Sequence, residues 1–257
     1  MFIPISDENP TLRFPLMTVL LLIIMGVVWV MVQGAGFNPT MLAASVCNLG
    51  LVPGELTGRA HLGQSIPLGP GLACVVDSDP INILTPLTSM FLHGSWMHLL
   101  SNALFLWIFG NNIEDSMGRL RFLIFYLLCG LAAAAAQVFM NTASPVPMVG
   151  ASGAISGVLG AYLLLYPKVR VKVLVFVLFI FIIHVPAYLV LLWWIGLQII
   201  SALPQLNPTI PEVSGGVAVF AHIGGFFAGV ALVRVFRNAA LVGERTTERH
   251  RLHPGHY

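Results

Sequence analysis

From Phe14 to Val32 the chain runs without a charged residue, and further long apolar stretches follow along its length. A run of that kind reads as a membrane-crossing helix, because a helix satisfies its own backbone hydrogen bonds in a solvent that offers none. Composition agrees. Hydrophobic residues make up 57% of the 257 residues and charged residues 9%, where a soluble domain carries about 25% charged residues. This excludes a soluble enzyme, a disordered chain and a nucleic-acid binder. Hydropathy places six spans, near Phe14–Val32, His93–Asn111, Leu120–Met140, Gly150–Tyr166, Val171–Ser201 and Val217–Arg234. The expected fold is an all-α polytopic membrane protein with six transmembrane helices. A barrel is disfavoured, since its strands would alternate in polarity and be about 10 residues long. The first run differs from a signal peptide: its apolar stretch is too long, Asp7 and Glu8 precede it, and no A-x-A site follows.

The basic residues set an orientation. With the N-terminus inside, Arg13, Arg119, Arg121, Lys168, Arg170, Lys172, Arg234, Arg237, Arg245, Arg249 and Arg251 fall on the cytoplasmic side, and Arg59 alone falls outside. That is the positive-inside pattern of a multi-pass protein of the plasma membrane with both termini cytoplasmic. The chain then divides into a cytoplasmic segment 1–13, a six-helix membrane domain 14–237 and a charged cytoplasmic tail 238–257 that reads as disordered. A long outer loop, about 34–92, is rich in Gly and Pro and holds short apolar pieces that lie on the outer interface. Cys47 and Cys74 share this loop, and a disulfide and two free thiols are both open readings. Cys129, inside the third span, reads as a small packing residue.

Polar side chains within a span are costly and therefore candidates for function. No Asp or Glu lies deep in any span; Glu114 and Asp115 sit at the inner edge. The buried polar set is His98, Ser101, Asn102, Ser152, Ser156, His184 and His222. A carboxylate-based proton or cation pump is disfavoured, and nucleophilic chemistry by a hydroxyl and an imidazole is favoured. Helical rise puts Ser152 roughly 21 Å above Tyr166, His222 roughly 18 Å above Arg234 and His98 roughly 20 Å above Asn111. Three spans thus carry polar groups at one depth, with Asn102 one turn beneath His98 on the same face. Gly153 and Gly157 form a GxxxG on the fourth span, and Gly225 and Gly229 another on the sixth. Packing through those faces would bring Ser152 and His222 together.

At these residues the chain resembles the rhomboid family of intramembrane serine proteases. Gly150-Ala151-Ser152-Gly153 is similar to the family's GxSG nucleophile motif. Ala221-His222 with Gly225 and Gly229 is similar to its AHxxGxxxG. His93, His98 and Asn102 match HxxxxHxxxN, and Glu114 with Gly118, followed by Arg121-Phe122, resembles the loop after that helix. The resemblance runs from about Thr85 to Gly229. It implies a Ser152–His222 dyad, an oxyanion site from the Ser152 backbone N–H with His98 and Asn102, and substrates that are membrane proteins whose transmembrane segment unwinds near the outer face. It implies no cofactor and no metal.

Two features depart from the family pattern. The Trp-Arg pair of the first outer loop would align near Leu84-Thr85 and is absent. The position four after the serine, often an aromatic that stacks on the histidine, is Ser156, so His222 is expected to be held another way, as by a hydroxyl. A catalytically dead relative that binds membrane clients and a channel or small-solute transporter are the competing readings. Retention of Ser152 and His222 argues against the first, and the lack of inverted repeats and deep carboxylates against the second. His93 reads as fixing the loop, His184 as satisfying a kink before Pro186, Trp193 and Trp194 as an aromatic belt, and His250, His253 and His256 as tail residues rather than metal ligands. The oligomeric state is not legible.

Overall fold

The computed structural model describes residues 2–77, 82–176, 180–206 and 218–252. Strand β1 (Phe2–Asp7) leads into helix α1 (Leu16–Met31). The long connection that follows is folded. It holds α2 (Pro39–Leu49), the short α3 (Pro53–Leu56), a hairpin of β2 (Ser65–Gly69) and β3 (Leu72–Val75), and the short α4 (Thr85–Thr88). A disulfide joins Cys47 of α2 to Cys74 of β3, with 5.3 Å between their Cα atoms. This settles the question the spacing left open. Helix α5 (Trp96–Phe105) passes through a π-turn (Leu106–Gly110) into α6 (Asn111–Met117), and α7 (Arg119–Met140) and α8 (Ser152–Leu165) follow. Strands β4 (Arg170–Phe176) and β5 (Ile180–Pro186) precede α9 (Ala187–Ala202), α10 (Val219–Phe236) and α11 (Ala239–Leu252).

The chain is thus mostly helical and apolar, but not all-α. Arg119–Met140, Ala187–Leu206 and Val219–Phe236 are long and apolar enough to cross a membrane; Leu16–Met31 and Ser152–Leu165 are apolar but shorter. The correction of substance concerns the fifth span. Val171–Ser201 is not one helix: its first half is the β4–β5 hairpin, and the helix begins only at Ala187. The run from Val171 to Val185 is dense in Val, Ile and Phe, which favour extended backbone. Strand β1 supplies a partner, pairing antiparallel to β4 from Phe2 opposite Val175 to Asp7 opposite Val171. Val171, Val173 and Val175 turn inward to the core, while β1 lies along the π-turn. His184 satisfies no kink; its Nε2 lies 3.4 Å from Glu8.

The end of the bundle away from Ser152 is closed by carboxylates. Helix α1 opens after Pro15 with no side-chain cap of its own. Glu114 serves instead: its carboxylate accepts from the Met17 and Thr18 backbone N–H groups at 2.9 and 2.8 Å and from the Thr18 hydroxyl at 2.8 Å. This is where an anion is favoured at a helix start. Next to it Asp115 accepts from the Leu12 N–H at 2.8 Å, from Arg13 at 3.2 Å and from Arg245. Asp7 accepts from Asn112 at 2.8 Å and from the Tyr162 hydroxyl. The tail expected to be disordered forms α11 as far as Leu252, docked by Asn238 N–H on the Ser116 carbonyl at 2.9 Å and by the buried Arg245. The Arg245 guanidinium also lies 5.0 Å from the centre of the Tyr166 ring, a cation–π distance. Of the tail histidines, the His250 side chain, His253 and His256 lie outside the described residues.

At the centre α7, α8 and α10 pack backbone to backbone. A methyl on Gly225 or Gly229 would strike the carbonyl oxygen of Gly153 or Gly157, and one on Gly153 would sit 2.6 Å from Cβ of Ala133. Cys129 fills the space against Gly157 and is fully buried.

Two outcomes are expected. Glu114→Ala leaves three donors at the start of α1 without their acceptor and lowers stability by about 1–3 kcal/mol, read as a lower thermal midpoint in detergent. Gly225→Ala abolishes a monodisperse fold, whereas Gly196→Ala, on α9 with nothing within 4 Å of its added carbon, keeps the midpoint or raises it, as a helix glycine replaced in open space gains about 0.5–1 kcal/mol.

Candidate active site

Ser152 is the first residue of α8, and the segment before it is arranged to place it. Gly150 has φ +126°, a left-handed value that side chains avoid. A carbon added there would stand 2.6 Å from His98 Nε2 and 3.6 Å from Ser152 Oγ. Glycine therefore permits both the turn and the approach of the histidine to the serine. The Gly150 N–H is held by the Ser89 carbonyl at 2.8 Å. The first helical bond of α8 is donated by Ile155 to Ala151, so the Ser152 N–H belongs to the free donors of the helix start.

Helix α10 places His222 opposite. Its Nε2 lies 2.7 Å from Ser152 Oγ, across the seam of small residues. Its Nδ1 lies 2.8 Å from Oε1 of Gln198 on α9. Trp194, one turn earlier on α9, sets its ring 5.7 Å from the imidazole, centre to centre. Ser156 does not hold the histidine: its hydroxyl donates back to the Ser152 carbonyl at 2.6 Å. The support expected from a hydroxyl comes instead from an amide and an indole of α9. Gln137 of α7 accepts the Ala221 N–H at 3.1 Å and fixes the start of α10.

Helix α5 supplies the third wall. Ser95 caps it, accepting the His98 N–H at 3.1 Å. The Gly94 N–H donates to His98 Nδ1 at 3.3 Å. An accepting Nδ1 leaves the imidazole proton on Nε2, the atom that a carbon on Gly150 would strike. Asn102, one turn on, is buried, and its Nδ2 has no hydrogen-bond partner among the described residues. His93 stands behind, its ring 5.1 Å from that of His98. Gln33 clamps the His93 backbone in both directions, accepting from its N–H and donating to its carbonyl, each at 2.8 Å.

Ser152, His222, His98 and Asn102 line one cavity of about 500 Å³, with Phe105, Met148, Ile155 and Trp194 among its apolar walls. No Asp or Glu lines it among the described residues, and those residues hold no cluster of metal-ligating side chains. The geometry can deprotonate a hydroxyl with an imidazole and present donors on the opposite side. Sequence reasoning missed Gln198, Gln137 and Gln33 and read Trp194 as an interfacial belt. Gln137 and Gln198 carried a usable signal, since each is an uncharged polar residue inside an apolar span. Leu84 and Thr85, where the family pattern has Trp-Arg, begin α4, which the Thr88 hydroxyl ties to the Leu49 carbonyl at 2.7 Å.

A family model, the Rhomboid domain, matches residues 82–239. Among similar proteins, Rhomboid protease GluP of Bacillus subtilis is 44% identical over 77 residues, 30% of this chain and 15% of its own length. RHOMBOID-like protein 6, mitochondrial, of Arabidopsis thaliana is 28% identical over 179 residues, 64% of this chain and 50% of its own length. Putative rhomboid protease YdcA of Bacillus subtilis is 34% identical over 79 residues, 30% of this chain and 38% of its own length. The chain thus spans half or less of the length of each of these relatives. The family model takes in the Gly150–Gly153 turn, the α5 wall and the α8–α10 seam, and the chain belongs to the rhomboid family.

Proposed function

We propose that the protein is an intramembrane serine endopeptidase working through a Ser152–His222 dyad. The observation that carries this reading is the 2.7 Å contact of His222 Nε2 with Ser152 Oγ inside a cavity walled by His98 and Asn102. Ser152 Oγ attacks the carbonyl carbon of a peptide bond while His222 Nε2 takes its proton. The carbonyl oxygen becomes an oxyanion that the Ser152 N–H, His98 Nε2–H and Asn102 Nδ2–H stabilise; each such donor is worth a few kcal/mol in a site away from bulk water. Collapse breaks the C–N bond, and His222 returns the proton to the leaving amine. Water, deprotonated by the same imidazole, then cleaves the acyl-enzyme and restores the Ser152 hydroxyl. The start of α8 adds partial positive charge where the oxyanion forms.

The substrates of this reading are transmembrane segments of other proteins, reached within the lipid bilayer. Six membrane passes follow if α1, the α5–α6 unit, α7, α8, α9 and α10 each cross. With Arg13, Lys168, Arg170, Lys172 and Arg245 at the end of the bundle away from Ser152, the positive-inside rule puts that end and both termini in the cytoplasm and the dyad near the outer face.

In detergent, a fluorophosphonate probe is expected to label the wild-type chain and to leave Ser152→Ala and His222→Ala unlabelled. Labelling that persists in Ser152→Ala, or a folded wild type that never labels, removes the dyad. Single changes His98→Ala and Asn102→Ala are each expected to slow cleavage of a membrane-protein substrate by about 10²–10³-fold, the cost of one oxyanion donor. Unchanged turnover in both variants would move the oxyanion site elsewhere.

A further inference from the structure

We infer that Gln198 of α9 is the positioning residue for His222, holding the place that a carboxylate holds in a Ser-His-Asp triad. The inference rests on the dyad reading and deepens it. The amide oxygen of Gln198 lies 2.8 Å from Nδ1, and Ser152 Oγ lies 2.7 Å from Nε2, so the imidazole is bonded at both nitrogens at once. A carbonyl oxygen only accepts. It therefore takes the Nδ1 proton and leaves the Nε2 lone pair facing the serine hydroxyl. The opposite tautomer would set two lone pairs against each other at Nδ1 and offer Ser152 a donor where a base is required.

Among the described residues, no other group near the ring is placed for this task. Ser156, in the position where the family pattern often has an aromatic, has its hydroxyl turned to the Ser152 carbonyl. The cavity lining has no carboxylate among the described residues. The elements around His222 each present an identified group: α8 presents Ser152, α7 presents Gln137 to the neighbouring Ala221 N–H, and across the cavity α5 presents His98 as the titratable group that interacts with it. From α9 come Gln198 and, four residues earlier on the same face, Trp194 against the ring. The base is thus oriented by a helix that carries neither member of the dyad.

The test follows the rate of fluorophosphonate labelling against probe concentration and pH in the full chain, with Ser152→Ala as the control. Gln198→Leu keeps the bulk and removes the acceptor. Its maximal labelling rate is expected to fall on the order of 10²-fold or more, as when a triad histidine loses its tautomer control, while half-saturation stays within about two-fold. Gln198→Glu restores the acceptor as an anion. It is expected to recover most of the rate and to move the acidic limb of the profile up by about one pH unit, because a carboxylate beside an imidazolium favours the protonated ring. A wild-type rate in Gln198→Leu overturns the proposal. So does a Glu profile that overlays the wild type, which would leave Gln198 a packing residue. If Gln198→Leu does not fold, the Glu profile decides alone. Persistent labelling of Ser152→Ala removes the dyad itself, an outcome that the Gln198 variants do not produce.

Discussion

The site depends on a seam where no side chains intervene. Gly225 and Gly229 of α10 rest on the carbonyl oxygens of Gly153 and Gly157 of α8, while Ala133 and Cys129 of α7 fill the grooves beside them. Between membrane helices the apolar effect gives little attraction, so close backbone contact and packing have to supply it. The same contact is a ruler. Ser152 and His222 each sit within one turn of a seam glycine, so the spacing of the backbones sets the distance between Oγ and Nε2. A site built on three packed helices keeps its geometry better than one carried on loops.

Away from the seam, the fold is governed by the need to pair what is polar. Glu114 and Asp115 look like stray acids at a membrane edge until their partners are counted: the open start of α1, the Leu12 N–H, Arg13 and Arg245. The amides at the other end follow the same logic. Gln33 closes the backbone of His93, Gln137 closes the start of α10, and Gln198 closes the second nitrogen of His222. Each of these amides meets a backbone group or a single ring nitrogen, whereas the buried carboxylates of Glu114 and Asp115 each gather several donors, which offsets the cost of burying their charge.

The spans were legible wherever apolar length had no competitor, as at Arg119–Met140 and Val219–Phe236. So were the residues that meet in the cavity, because depth along a helix follows from rise per residue and Ser152, His222 and His98 sit at matched heights. The fifth span was misread because hydropathy has no direction: Val171–Val185 is apolar enough for a helix, and its extended form depends on β1, a partner more than 160 positions earlier in the chain. The tail was misread for the converse reason. Its charge suggests solvation, and only Asp115, Asn112 and Tyr166 gathered at one point give Arg245 a place to be buried. Gln198 was overlooked because its meaning lies across a helix interface, at a nitrogen of a residue 24 positions away.

Arg245 carries a consequence for assembly order. Ribosomes deliver Asp115, Asn112 and Tyr166 well before it, and β1 likewise precedes β4 by most of the chain. Until α11 arrives, Asp115 has Arg13 and the Leu12 N–H but not the guanidinium that covers it. Every residue of the Ser152–His222 seam has been synthesised by then. The seam between α8 and α10 thus precedes, in order along the chain, the latch at the opposite end of the bundle. A chain cut after α10 would keep Ser152 and His222 but leave Asp115 without the guanidinium that covers it.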